Sequence, residues 1–170
     1  MVDKAFVREL ATEALKAAKI IRPPVDLDDI ALSRALRIER NAILEGAARA
    51  SYRPADGLVS VSPLPPRFER FPIAHELGHA IIGDGGRACT EQMIQVQDDA
   101  VSLSDALASF NPESTASAIA GQLLVPSAWL RRAVAEGRGV IELEELFDVT
   151  RSVLLIAIQR DRLLGKVSTP

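Results

Sequence analysis

Apolar residues recur at helical spacing from the start of the chain. Phe6, Val7, Leu10, Ala14, Leu15, Ala18 and Ile21 fall on one face, which predicts a helix over Phe6 to Ile21 stopped by Pro23-Pro24. Asp26 is placed to cap a second helix through Leu36, with Leu27, Ile30, Ala31 and Leu36 inward and Asp28 and Asp29 in the first turn. Between Arg37 and Ser62 the period changes. Leu58-Val-Ser-Val-Ser alternates behind the turn signal Asp56-Gly57, and Ile38, Ala42 and Leu44 stand among polar residues. Two or three short antiparallel strands are expected there. Helical spacing returns over Phe68 to Ile82 and ends at Gly83-Asp-Gly-Gly86. Pro112 suits the first position of a further helix behind an Asn111 cap, and Pro126 follows it. Ser127 is placed to cap Ala128 to Glu136. Two last helices, Ile141 to Phe147 and Arg151 to Leu164, flank a short turn, with Thr150 as cap of the second. The stretch from Thr90 to Asn111 has no decided period and reads as a lid, a specificity insert or a surface loop; Leu103 to Phe110 could be a short helix. No repeat or linker is visible, so residues 1–170 are expected to form one α+β domain. It would be mostly helical, with a short antiparallel three-stranded sheet and a C-terminal helix pair. Its parts are the N-terminal helices (1–36), the sheet (37–62), two central helices (67–82 and 112–126) and the C-terminal pair (141–164).

Composition narrows the class. The chain has 170 residues, 48% hydrophobic and 25% charged, which fits a globular domain with a real core. Twenty Lys and Arg against 23 Asp and Glu give −3, which argues against a broad nucleic-acid footprint. The single cysteine, Cys89, excludes an intrachain disulfide and an all-cysteine metal site. The N-terminus meets acid and base before any apolar run. The longest charge-free stretch, Ser114 to Leu130, contains Ser, Thr, Gln, Gly and Pro. Neither reads as a signal or a span, so a cytoplasmic protein without a membrane partner is expected.

There are two histidines, and both stand in one motif, His75-Glu76-Leu77-Gly78-His79. On a helix, residues four apart share a face, so both imidazoles can reach one ion while Glu76 stays free to handle a water. A catalytic zinc takes three protein ligands. The surrounding Phe71, Ile73, Ala74, Leu77, Ala80, Ile81 and Ile82 are apolar, so the helix is expected to be buried, where imidazoles and a carboxylate need partners. Gly78 weakens a helix relative to Ala, which points to another backbone or a substrate passing close by.

No third histidine remains, because position 82 is Ile and position 85 is Gly. The third ligand must be a carboxylate or Cys89, with Asp84, Glu91, Asp98, Asp99, Asp105 and Glu113 as candidates downstream. Asp84 and Cys89 lie too near the helix end to fold back easily. Glu113 opens a strongly apolar helix that must pack on the core, so spacing favours it without deciding. Two histidines and a carboxylate also accept manganese or iron.

The residues around this motif resemble the ImmA/IrrE metallopeptidases. Asp56-Gly-Leu-Val-Ser-Val-Ser, followed by Pro65-Pro-Arg-Phe-Glu-Arg-Phe-Pro-Ile-Ala-His-Glu-Leu-Gly-His79, is similar to that family's strand and active-site helix, whose usual run is RFTxAHELGH. Glu113-Ser-Thr-Ala-Ser-Ala-Ile-Ala-Gly-Gln-Leu-Leu-Val-Pro126 resembles its second motif, an acid-led helix ending in LLMP. Leu146-Phe-Asp-Val-Thr150 resembles its C-terminal FxVS. The resemblance spans roughly Asp26 to Leu164. It implies a gluzincin-like helical core with a short sheet edge, zinc held by His75, His79 and Glu113, and Glu76 as general base. It also implies a protein substrate, a helix-turn-helix repressor cut in a stress or mobile-element response. Three positions depart from the pattern. Pro72 replaces a threonine and is expected in the first helical turn. Ser117 stands where relatives carry Asp or Asn bonded to a ligand histidine, and can make a weaker contact of that kind. Ile119 replaces an aromatic residue.

A donor for the developing oxyanion is also needed. Tyr52, the only tyrosine, is the candidate, with Arg53 and Arg70 behind it; a half-buried strand aromatic is the plainer reading of Tyr52. The rival to a zinc endopeptidase is a regulatory module that binds DNA or a repressor through the C-terminal helix pair. Against DNA, Arg151, Arg160 and Arg162 face Glu142, Glu144, Glu145, Asp148 and Asp161, which would repel phosphate.

Overall fold

In the computed structural model the described residues are 4–46, 48–84, the strand at 89–90 and 112–167. Helix α1 covers Lys4–Ala17 and α2 Leu27–Ser33. Strands β1 (Arg37–Glu39), β2 (Ala48–Arg53) and β3 (Leu58–Val61) follow, then α3 (Pro66–Ile82) and the two-residue strand β4 (Cys89–Thr90). Helices α4 (Pro112–Leu124), α5 (Ser127–Ala135), α6 (Val140–Phe147) and α7 (Arg151–Arg160) complete the chain. The fold is α+β, as the periodicities predict.

The sheet differs from its expected form. Its order is β1-β3-β2-β4, and β1 runs parallel to β3. The hairpin of β2 and β3 is antiparallel, with Tyr52 opposite Val59 and Ala50 opposite Val61. After β1 the chain passes the end of β3, where Ala42 N–H donates to the Val61 carbonyl, so β3 inserts between β1 and β2. Alternation of side chains fixes which face is buried but not which strand is the neighbour. The outer edge of β2 pairs with β4 at Ala48 and Ala50. The possible helix at Leu103 to Phe110 and the Asn111 cap lie outside the described residues.

Several helix ends also move. Helix α1 stops at Ala17, four residues short of Ile21, because Lys19 turns left-handed (φ 57°) and Ile20 N–H closes onto the Leu15 carbonyl. Asp26 does cap α2, accepting from the N–H groups of Asp28 and Asp29, but that helix ends at Ser33. Pro72 lies inside α3 rather than in its first turn, since α3 begins at Pro66. Every residue from Phe71 to His79 is buried, and that packing outweighs the hydrogen bond Pro72 cannot donate. Helix α7 ends at Arg160, not Leu164, and Thr150 occupies its N-cap without a side-chain bond.

Helix α3 is central. It lies against β2 and β3 on one side and α4 on another, and α1 covers α4. Phe147 is fully buried in the core, whereas Trp129 is half-buried at its margin. Arg67 and Arg70 of α3 both reach Asp148, the turn residue between α6 and α7, at 3.2 and 3.6 Å. The C-terminal helix pair is thus fastened to the helix that carries the motif.

A buried polar knot joins α4, α5 and α7. Ser127 does not cap α5; it is that helix's first residue, behind Pro126. Its Oγ donates to Asp161 Oδ1 at 2.8 Å and accepts from Gln122 Nε2 at 3.0 Å. Arg160 holds the other Asp161 oxygen at 2.8 Å and the Val125 carbonyl at 2.7 Å. Burial lowers the pKa of the Arg160 guanidinium, and Asp161 opposes that pull. Ser127→Ala is expected to cost about 1.5 kcal/mol, the low end for a bond to a charged group, because Arg160 still holds Asp161. Thermal unfolding should show the midpoint falling by roughly 3–6 °C; an unchanged midpoint would show that the knot adds no stability.

Candidate active site

The motif helix brings its two histidines onto one face, as the i, i+4 spacing requires. Both are buried, His75 at 1% and His79 at 0% exposure. Their Nε2 atoms lie 3.1 Å apart. Glu113, in the first turn of α4, sends Oε2 to 3.2 Å from His75 Nε2 and 3.4 Å from His79 Nε2. A tetrahedral zinc with bonds of about 2.0–2.1 Å separates its ligands by about 3.3 Å. The three ligand atoms therefore already stand at the edge length of such a coordination shell. Among the described residues this is the group of His, Cys, Asp and Glu able to hold a metal ion.

Close approach of α3 and α4 makes the triangle possible. A Cβ placed on Gly78 would stand 2.6 Å from the Ala116 carbonyl oxygen and 2.9 Å from its Cα. No side chain fits there, so the reason for glycine is a crossing backbone. Ala74 and Ala120, one turn from Gly78 and Ala116 on their respective helices, are small and fully buried.

The remaining ring nitrogens are engaged. Ser117 Oγ lies 3.0 Å from His75 Nδ1, one turn along α4 from Glu113. Asp84 Oδ2 lies 3.1 Å from His79 Nδ1. Asp84 is the contact that sequence reasoning missed: it stands outside the ligand group but folds back onto a ligand. Gly83, with a left-handed φ of 71°, reverses the chain at the helix end and brings Asp84 back beside it. A carboxylate only accepts, so the bond fixes a hydrogen on His79 Nδ1 and leaves a lone pair on Nε2. That lone pair faces Glu113 Oε2. His75 Nε2 lies 3.1 Å from His79 Nε2 and 3.2 Å from Glu113 Oε2, so a hydrogen there can separate the two acceptors, and a metal ion bound by the three atoms would take its place.

Electrostatics favours ligand-ready forms. Burial pushes the His75 imidazole below its ordinary pKa, so it is neutral near pH 7. The hydrogen bond to His75 holds the Glu113 carboxyl below the usual glutamate value, against a smaller opposing effect of desolvation. Glu76 is fully buried beside the first ligand.

The oxyanion candidates have contacts of their own. Tyr52 is half-buried on β2 and packs against the core. Arg70 donates to the Val25 carbonyl at 2.7 Å, and Arg53 pairs with Asp56 at 3.3 Å. Cys89 enters the structure as a strand residue opposite Ala50.

Residues 45–159, about two thirds of the chain, match the family model of Peptidase M78, the IrrE N-terminal-like domain. The chain belongs to this family. The match runs from just before β2 almost to the end of α7, so the hairpin, both helices that carry the triangle and the C-terminal pair all fall inside it. The membership expected from the motifs therefore stands, and the family supports a metallopeptidase type of function. Comparison with curated proteins gives no match. No helix among the described residues is long and apolar enough to cross a membrane.

Proposed function

We propose that this Peptidase M78 member is a cytoplasmic zinc-dependent endopeptidase that cuts a protein regulator, with a helix-turn-helix repressor as the substrate. The observation that carries the reading is the His75–His79–Glu113 triangle at coordination spacing, with Glu76 beside it in a peptidase fold. Zinc held by His75, His79 and Glu113 would supply Lewis acidity toward a water and a peptide carbonyl. Glu76 takes the proton of the attacking water and returns it to the leaving amine. Ser117 and Asp84 hold the two imidazoles in orientation. An extended peptide adds to the outer edge of β2, where β4 pairs only at Ala48 and Ala50 and the stretch from Ser51 to Arg53, with Tyr52, is open among the described residues. The repressor and its stress or mobile-element setting rest on the family resemblance alone.

The test is metal analysis of the purified chain together with cleavage of the helix-turn-helix protein encoded beside its gene. About one zinc per chain is expected in the wild type. His75→Ala and Glu113→Ala should each lose it at zinc concentrations that saturate the wild type. Full occupancy in Glu113→Ala would remove Glu113 from the ligand set, and zinc-loaded protein that leaves every offered repressor intact would refute the substrate.

A further inference from the structure

We propose that Asp84 is the positioning residue of the metal site: it locks His79 in the tautomer that points a lone pair at the metal. The inference rests on the metal-site reading above and adds to it a residue just beyond the helix that carries both histidines.

The geometry is a two-point clamp on one residue. Gly83 turns left-handed, and Asp84 N–H then donates to the His79 carbonyl at 3.0 Å. The same residue's carboxylate accepts from His79 Nδ1 at 3.1 Å. The His79 side chain is 0% exposed, so water does not compete at the ring, while the Asp84 side chain, 38% exposed, keeps part of its hydration. The partner of His75 is different in kind. A serine hydroxyl both donates and accepts, so Ser117 tolerates either tautomer of His75. A carboxylate tolerates one. The chain therefore fixes one imidazole rigidly and leaves the other adaptable, and the rigid one owes its state to Asp84. An anionic partner also makes the ring a stronger donor to a metal, and losing such partners typically weakens metal binding about 10–100-fold.

Two readouts on the full chain test this. The first uses protein stripped of metal by chelator, with 15N spectra of the imidazoles at pH 8. His79 should show hydrogen on Nδ1 in the wild type, and less completely in Asp84→Asn, whose amide both donates and accepts. In Asp84→Ala a fraction should move to Nε2. Ser117→Ala should leave His79 unchanged. The second is zinc affinity by chelator competition. Asp84→Ala should bind zinc about 10–100-fold more weakly, with Asp84→Asn in between, while the melting temperatures of the metal-free variants stay close to that of the wild type. An Asp84→Ala protein with the wild-type tautomer, or with zinc affinity within twofold of the wild type, would overturn the assignment. Should Asp84→Ala fail to fold, an Asp84→Asn protein with zinc affinity equal to the wild type would overturn it too. A wild type that binds no zinc would sink the metal-site reading, and the tautomer spectra would still decide the role of Asp84.

Discussion

Glu76→Gln should keep its zinc and lose its activity. The substitution is nearly isosteric, and Glu76 is not among the three atoms of the ligand triangle, so metal content should match the wild type. What disappears is a base. An amide cannot take the proton of the attacking water, and it has none of suitable acidity to pass to the leaving amine. General acid–base participation of this kind is worth about 10²–10⁴ in rate. The turnover of any cleaved substrate should fall by that factor, with zinc stoichiometry unchanged by elemental analysis. Because the residue is wholly buried in the middle of α3, a folding defect must be separated from a chemical one. Equal melting temperatures for the zinc-loaded pair make that separation. If Glu76→Gln loses metal as His75→Ala does, Glu76 belongs to the coordination shell and the assignment of roles is wrong. If it keeps full activity, the base lies elsewhere.

The second large effect is structural. Gly78→Val should lower stability by about 3 kcal/mol and disrupt the metal site with it. Two terms oppose each other. Leaving glycine improves helix propensity by at most about 1 kcal/mol. Against that stands a Cβ 2.6 Å from a backbone oxygen and 2.9 Å from a backbone Cα, with no flexible side-chain end to give way. Overpacking costs typically about 1–3 kcal/mol and more where nothing can yield. The only relief is for α4 to move off α3, and that carries Glu113 away from both histidines. The melting midpoint should drop by roughly 6–12 °C, and zinc affinity should fall together with it. Gly121→Ala is the control. It lies on α4 too, but its added Cβ meets only the end of Arg160 at 3.6 Å, an ordinary contact. That variant should gain up to about 1 kcal/mol. A Gly78→Val protein as stable as the wild type would mean the helices do not cross as closely as described.

How much of this could be read from residues alone varied with the range of the interaction. The two histidines are a local pattern: four residues on a helix fix their geometry, and nothing distant can undo it. Glu113 needed more, since spacing left Asp84 and several other acids in play. The apolar run behind Glu113 and the resemblance to a known motif singled it out. Gly78 carried a legible anomaly, a glycine where a helix wants something else, and the crossing backbone resolved it. Asp84 was illegible for a geometric reason. A left-handed residue reverses the chain within one step, so a side chain that follows the helix in sequence ends up beside it in space. The parallel pairing of β1 was equally hidden, because a three-residue strand alternates in the same way whichever neighbour it takes. Pro72 shows the reverse case. A local rule placed it in the first helical turn, and nine successive buried residues hold it inside the helix instead.

With zinc in the preassembled triangle, as proposed, the protein's lifetime would also depend on metal supply. Unfolding separates Glu113 from the two histidines, so the open chain offers zinc a much poorer site than the native one. A ligand held by the native state alone adds about 2.7 kcal/mol at a free concentration one hundred times its dissociation constant. That is a large share of the roughly 5–15 kcal/mol by which domains of this kind outlast their unfolded forms. By mass action, a cell short of zinc would then hold this protein not only idle but scarcer, because the fraction exposed to degradation would grow as the free ion declined.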